Sequence, residues 1–277
     1  MKKIHLSTGR NIPVLGQGTW RMGEDSSQKE AEIAALCLGL DMGMTLIDTA
    51  EMYGEGGAEE VVGEAIKNRR EEVYLVSKVY PHNASRKGTV AACERSLKRL
   101  KTDFIDLYLL HWRSSIPLSE TLEAFESLKG AGKIRNYGVS NFDADDMKKA
   151  INLPNGKQIV TNQVLYNLAR RGIEWDLLPW SRQRNIPIMA YSPIEQKGIL
   201  NNSVLKAVAS RHNATPAQIG LAWLLQQQEI IAIPKASNPE HVKENSTALN
   251  IELTQEDLSE LDKAFPPPNR KMSLAIR

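Results

Sequence analysis

Two hydrophobic patterns alternate along the chain. Short runs rich in Val, Ile and Leu are apolar at most positions: VLGQGTW (14–20), TLIDTA (45–50), VYLVSKV (73–79), IDLYLLH (105–111), IRNYGVSN (134–141), VTNQVLYN (160–167), IPIMAYSP (186–193) and IIAIPKA (230–236). Short apolar runs of this kind read as strands buried on both faces. Longer stretches with helical spacing lie between them, such as EAEIAALCLGLDMG (30–43), TVAACERSLKRL (89–100) and LSETLEAFESLKGAG (118–132). The last ends in glycine, a common helix stop. Thr215 and Pro216 open a further helix, PAQIGLAWLLQQQ, with proline at its first position. Eight strand-then-helix units predict an α/β fold with a parallel sheet, and eight closes a (β/α)8 TIM barrel. The leading IHLSTGRNIPVLG, with its Thr-Gly turn, predicts an N-terminal β-hairpin plugging the bottom. An open doubly wound sheet is the alternative, but it would carry a Gly-rich phosphate loop, and no GxGxxG occurs.

Composition narrows this picture. The 277 residues suit one large domain spanning 1–277, since no linker or composition shift divides them. Such a length buries a core without disulfides or a structural metal. With 35 basic against 33 acidic residues and no basic run, nothing suggests a nucleic-acid partner. The N-terminal MKKIHLSTGR has no apolar run behind its lysines, and no window approaches the roughly 18 apolar residues of a membrane span. Cys37 and Cys93 are expected to be free, buried thiols in a reducing compartment. A cytoplasmic protein is expected, monomeric, without a membrane or nucleic-acid partner.

An α/β barrel carries its site at the C-terminal ends of its strands. The apolar runs end in Asp48, with Tyr53 just beyond; in Lys78; in His111 and Trp112; in Ser140 and Asn141; in Tyr191 and Ser192; and in Lys235. Asn162 and Gln163 lie within the sixth run. Each has an ordinary reading. Asp48 suits a helix cap, Lys78 a solvated loop, His111 a hydrogen-bonded structural histidine and Tyr53 an amphipathic rim aromatic. Four such coincidences on three successive strands explain the pattern less well than one shared site. A buried Lys78 ammonium needs an acid, which Asp48 supplies. A cation beside the Tyr53 phenol is expected to lower its pKa. His111 is then a second donor or relay. The set describes a general acid for a carbonyl oxygen. The histidines are too scattered for metal-ligand spacing.

The stretches GTWRMG, LIDTAEMYGEG, VSKV, LYLLHW, GKIRNYGVSNF, NQVLYN, AYSP and IPKASNPEHVKEN, in this order, resemble the aldo-keto reductases, and an aldehyde/methylglyoxal reductase-like member among them. The resemblance implies a (β/α)8 barrel and NAD(P)H-dependent reduction of a small-molecule carbonyl substrate. It places the catalytic tetrad on Asp48, Tyr53, Lys78 and His111. It places the nicotinamide carboxamide on Ser140, Asn141 and Gln163, and the ring against Tyr191. Ser192, Pro193 and Ile194 start the pyrophosphate strap. Lys235 and Ser237 match the 2′-phosphate pocket, Glu244 and Asn245 the adenine contacts. Trp20 and Trp112, with His111, line the substrate pocket. Ala236 and His241 stand where the family usually has serine and arginine, which weakens the grip on a 2′-phosphate. NADPH (NADP+) is the expected cofactor, with NADH as the alternative. The short tail, PPPNRKMSLAIR, implies an open site and small or varied aldehydes. Two other functions compete: a Schiff-base barrel aldolase using Lys78, and a regulatory cofactor-binding protein on the same fold.

Overall fold

In the computed structural model, which describes residues 2–6, 8–195 and 198–277, eight parallel strands form one sheet in sequence order. After the hairpin strands β1 (Lys3–His5) and β2 (Asn11–Pro13), they are β3 (Gln17–Gly18), β4 (Leu46–Asp48), β5 (Tyr74–Val79), β6 (Ile105–Leu110), β7 (Ile134–Ser140), β8 (Ile159–Leu165), β9 (Ile188–Tyr191) and β10 (Ile230–Ala232). The ring closes between the first and last of these. Leu15 and Gly18 bridge Ala232 and Lys235 in parallel, and Gly16 N donates to Ala232 O at 2.9 Å. Every residue of β5, β6 and β8 is buried, as a sheet covered on both faces requires.

Helices follow the strands: α1 (Lys29–Asp41), α2 (Gly57–Ala65), α3 (Arg86–Leu100), α4 (Leu118–Gly130), α5 (Ala144–Ile151), α6 (Leu177–Arg182), α7 (Ser203–Arg211), α8 (Pro216–Gln226), α9 (Pro239–Thr247) and α10 (Gln255–Ala264). Their starts are capped by local chemistry. Ser85 accepts from Gly88 N at α3, and Thr215 with Gln218 forms a reciprocal capping box at α8.

The hairpin sits at the N-terminal end of the barrel, as expected; Ser7 in its loop lies outside the described residues. Ile4, Leu6 and Ile12 are buried there. Arg10 pairs with Asp106 on β6 at 2.5 Å and lies over the ring of Tyr74, the first residue of β5. The strands are shorter than the apolar runs. The run 186–193 yields only Ile188–Tyr191, because Ser192 turns the chain at φ 48°. Cys93 is buried, but Cys37 on α1 is only half-buried, since it lies at the edge of the helix's core face. Among the described residues, no helix is long and apolar enough to cross a membrane.

Candidate active site

Asp48 closes β4 and Lys78 is the penultimate residue of β5, the neighbouring strand. Tyr53 follows on a single turn, Tyr53–Gly56, in which Gly54, Glu55 and Gly56 all take left-handed backbone angles. This reversal launches α2 and leaves the phenol facing Lys78. Gly56 has little freedom to change: its φ is 98°, and an added Cβ would lie 2.6 Å from the Arg99 side chain.

The Lys78 side chain is fully buried, and its ammonium has three partners. It donates to Asp48 Oδ2 at 2.8 Å, to Thr49 O at 2.8 Å and to Tyr53 Oη at 3.3 Å. Three donors thus meet three acceptors. Since the Tyr53 oxygen accepts from Lys78, its own O–H is left to donate elsewhere. Burial alone would push Lys78 down, but Asp48 and Tyr53 outweigh it and hold the ammonium above the ordinary lysine value. Such a lysine is no free amine for a Schiff base. Burial pushes the Asp48 carboxyl up, opposed by Lys78 and Gln163.

The sign expected for Tyr53 needs correction. Its phenol is raised, not lowered: burial is the largest cause, Lys78 opposes it, and Asp48 adds to it. The cation beside the phenol is real, but it arrives with its own anion and in a desolvated place. The consequence suits an acid, because the proton is retained at neutral pH. His111, just past β6, stands edge-on to Tyr53 with ring centroids 5.8 Å apart. Burial, then the Lys78 charge, lowers it well below the ordinary histidine value, so the ring is neutral. Its buried Nδ1 has no hydrogen-bond partner among the described residues.

A second group of side chains joins this one. Ser140 Oγ donates to Gln163 O at 2.8 Å, and Asn141, at φ 59°, donates through Nδ2 to His111 O at 3.1 Å. Tyr191 Oη donates to Asn141 Oδ1 at 2.9 Å. Gln163 donates through Nε2 to Asp48 Oδ1 at 2.7 Å, a contact with the tetrad acid that the resemblance does not imply. Beyond β9, Ser192 and Ile194 are half-buried and Pro193 is buried. Trp112 is half-buried with its ring 4.8 Å from His111 and 5.1 Å from Tyr80. Trp20 is exposed, with Arg21 stacked on its ring.

The remaining residues lie past β10. Lys235 Nζ donates to Ser237 Oγ at 3.0 Å, just ahead of the N-terminus of α9. A cation, a hydroxyl and a helix N-terminus together suit a phosphate group, so this donor set fits the 2′-phosphate of NADPH. On α9 itself, His241 is exposed, Glu244 half-buried and Asn245 buried.

The short tail, from which an open site is expected, does not project away from the barrel. Residues 266–277 fold back toward the strand ends, with Lys271 paired to Asp145 and Asp176. Arg277 N donates to Tyr191 Oη at 3.2 Å, and its guanidinium to Glu195 at 2.7 Å. Glu195 is buried at φ 50° and also accepts from Asn167 and Arg170. Its signal in the sequence was an acid directly after Ser-Pro-Ile; nothing local marks Arg277. Among the described residues, no group of three or more His, Cys, Asp or Glu could hold a metal ion.

Comparison with known proteins bears on the family and the fold. Residues 14–265 match the model of the aldo/keto reductase family. The chain is 52% identical over 278 residues to the methylglyoxal reductase YeaE of Escherichia coli (strain K12), covering 99% of this chain and 98% of that protein. It is 34% identical over 262 residues to a glyoxal reductase of Bacillus subtilis (strain 168), covering 94% and 91%. A crystal structure of an aldo/keto reductase from Klebsiella pneumoniae in complex with NADP and acetate superposes with a TM-score of 0.98 at 49% identity, over 100% of this chain and 99% of that one.

Proposed function

The chain belongs to the aldo/keto reductase family, and from that premise we propose that Tyr53 is the general acid of its reaction, served by Lys78, Asp48 and His111. The protein is an NADPH-dependent oxidoreductase that reduces aldehydes and ketones to alcohols. Bound NADPH supplies the hydride. The observation that carries the proton-donor role is the Lys78 ammonium, whose third bond ends on the Tyr53 oxygen at 3.3 Å. That bond leaves the phenol's proton for a carbonyl oxygen in the mouth. As the proton departs, the ammonium stabilises the phenolate, and Asp48 keeps the ammonium in place. The neutral His111 ring orients the carbonyl by a hydrogen bond.

Ser140, Asn141, Gln163 and Tyr191 form the nicotinamide end of the cofactor site in this reading. Ser192, Pro193 and Ile194 serve the pyrophosphate. Lys235 and Ser237 take the 2′-phosphate with His241 nearby, and Glu244 and Asn245 take the adenine. Trp20 and Trp112 form pocket walls. Small 2-oxoaldehydes such as methylglyoxal and glyoxal are the proposed substrates, on the strength of the relatives that reduce them. The whole chain acts as one domain, as a monomer, in the cytoplasm. The test is turnover of methylglyoxal with NADPH and NADH in parallel, following absorbance of the reduced cofactor. Faster turnover and tighter binding with NADPH are expected. Equal use of NADH would show that Lys235 reads no 2′-phosphate, and absence of turnover with either would leave a cofactor-binding protein without this activity.

A further inference from the structure

Asp48 and Gln163 stand on opposite walls of the barrel. Three strands separate β4 from β8 whichever way round the closed ring they are counted. Yet Gln163 Nε2 reaches Asp48 Oδ1 at 2.7 Å, and both side chains are buried. Barrel interiors fill in layers drawn from alternate strands, and these two strands share a layer. The other Asp48 oxygen holds Lys78 at 2.8 Å. Each carboxylate oxygen therefore has a partner on a different wall, and the two partners together set the carboxylate's plane.

The amide's orientation follows from its partner. An ionised carboxylate only accepts, so Gln163 must present nitrogen to it. Both hydrogen bonds of the Gln163 side chain run through Nε2, the second to Met189 Sδ at 2.9 Å. Oε1 is thereby turned away from Asp48 and left as an acceptor for an amide N–H. We propose that Gln163 is a positioning residue for the proton donor: it fixes Asp48 across the barrel, and through Asp48 the Lys78 ammonium beside Tyr53, while its Oε1 accepts from the nicotinamide carboxamide. The inference rests on the reductase reading and adds to it a link between the cofactor's end of the site and the acid. Lys78 Nζ to Tyr53 Oη, at 3.3 Å, is the longest of the three ammonium contacts. It is the one a small tilt of Asp48 breaks first. A donor lost from a buried carboxylate also leaves that oxygen unsatisfied.

Gln163→Met keeps the side chain's length without the donor. Two measurements decide. In cofactor-free protein, urea unfolding of Gln163→Met, Asp48→Ala and the double variant should show coupled, non-additive shifts of midpoint. At saturating NADPH with a poor aldehyde, Gln163→Met should lower kcat about ten-fold or more, while substrate KM stays within about two-fold. In the Asp48→Ala background the same change should cost less than about two-fold in kcat. A residue that only grips the cofactor would instead raise the cofactor Kd, read by tryptophan-fluorescence quenching, and leave kcat at saturation unchanged. That result overturns the proposal, as do additive midpoints. Gln163→Leu repeats both measurements. If neither variant folds, the bond is an element of stability and the positioning role is wrong. Failure of the reductase reading has a different signature: wild-type protein would then not turn over aldehydes with NADPH, whatever the unfolding cycle shows.

Discussion

Each end of the barrel buries an aspartate against cations, and the two clusters differ in one respect. At the bottom, Asp106 Oδ1 takes Arg10, and Oδ2 takes Arg70 at 2.8 Å and the backbone N–H of Leu75 at 3.0 Å. Arg70 goes on to the carbonyls of Val73 and Phe104 and to the Thr102 hydroxyl. Each of these hydrogen bonds ends on backbone or on a floor side chain, although the buried Tyr74 hydroxyl under Arg10 has no partner among the described residues. At the top, Asp48 takes Lys78 and Gln163, but Lys78 leads on to a phenol whose proton is not committed, next to a histidine whose Nδ1 has no partner. Buried polar groups in folded proteins are nearly always satisfied, so a group left unsatisfied asks for an explanation. Here the aspartate whose partners lead only into backbone and floor side chains closes the barrel floor, and the one whose lysine leads on to an uncommitted phenol proton belongs to the chemistry.

The largest effect expected from this contrast is at the uncommitted proton. Tyr53→Phe should lower kcat ~10²–10⁴-fold, the usual worth of a positioned general acid. Cofactor affinity, measured by fluorescence titration, should stay within about two-fold, because the proton donor acts on substrate. A variant keeping more than about half of wild-type kcat with a slow aldehyde would break the contrast at its centre.

Next is the pair behind the phenol. Lys78→Met and Asp48→Asn should each lower kcat by more than about ten-fold, and together by far less than the product. Steady-state rates for the two single variants and the double one test this. Multiplicative losses would mean the two residues do not act as one unit.

The bottom should answer oppositely. Asp106→Asn leaves Arg70 without its buried partner, and breaking such a pair costs about 3–5 kcal/mol. Because Arg10 is half-exposed, its share is small. Urea unfolding should show the loss, while kcat of the folded fraction stays within about two-fold of wild type. A kcat as damaged as that of Lys78→Met would erase the division between the two ends.

The smallest expected effect is none at all. Tyr53 and Lys78 are raised above their ordinary values and His111 is lowered well below its own. A raised acid keeps its proton until pH climbs through the raised value, and a lowered histidine is already neutral above it. Neither Tyr53, Lys78 nor His111 therefore titrates between about pH 6.5 and 9, and kcat for a slow aldehyde should show no break from these three groups across that range. A break near pH 7 to 8 would place an ionisation of His111 or Tyr53 where the structure puts none.

Much of this was legible in the chain. All eight barrel strands were visible as apolar runs, because a sheet buried on both faces must be apolar almost throughout, as in β5 and β6. Asp48, Lys78 and His111 were legible because polar residues at the ends of such runs are costly without a joint purpose. What was not legible depends on closure. The bond from Gln163 to Asp48 exists only once β4 and β8 face each other, and no local spacing announces it. The sign of the Tyr53 shift needed the depth of burial as well as the neighbouring cation. Arg277 meets Tyr191 only because the tail folds back, which the tail's composition does not say.

The barrel also has a weakest stitch. β3 contributes only two residues to the ring, and closure rests on a few backbone bonds, among them Gly16 N to Ala232 O, Ala232 N to Val14 O and Gly18 N to Pro234 O. No side chain fits at position 18, where a Cβ would lie 2.8 Å from Ile233 O. Local opening is easiest where few backbone bonds must break at once, and β3 is joined on both sides by short ladders, two residue pairs to β4 and isolated bridges toward β10. Lys235 is bridged to Gly18 across that seam. A phosphate held at Lys235 therefore grips the hoop at its clasp, and the cofactor site is tied to the place where the ring is most easily undone.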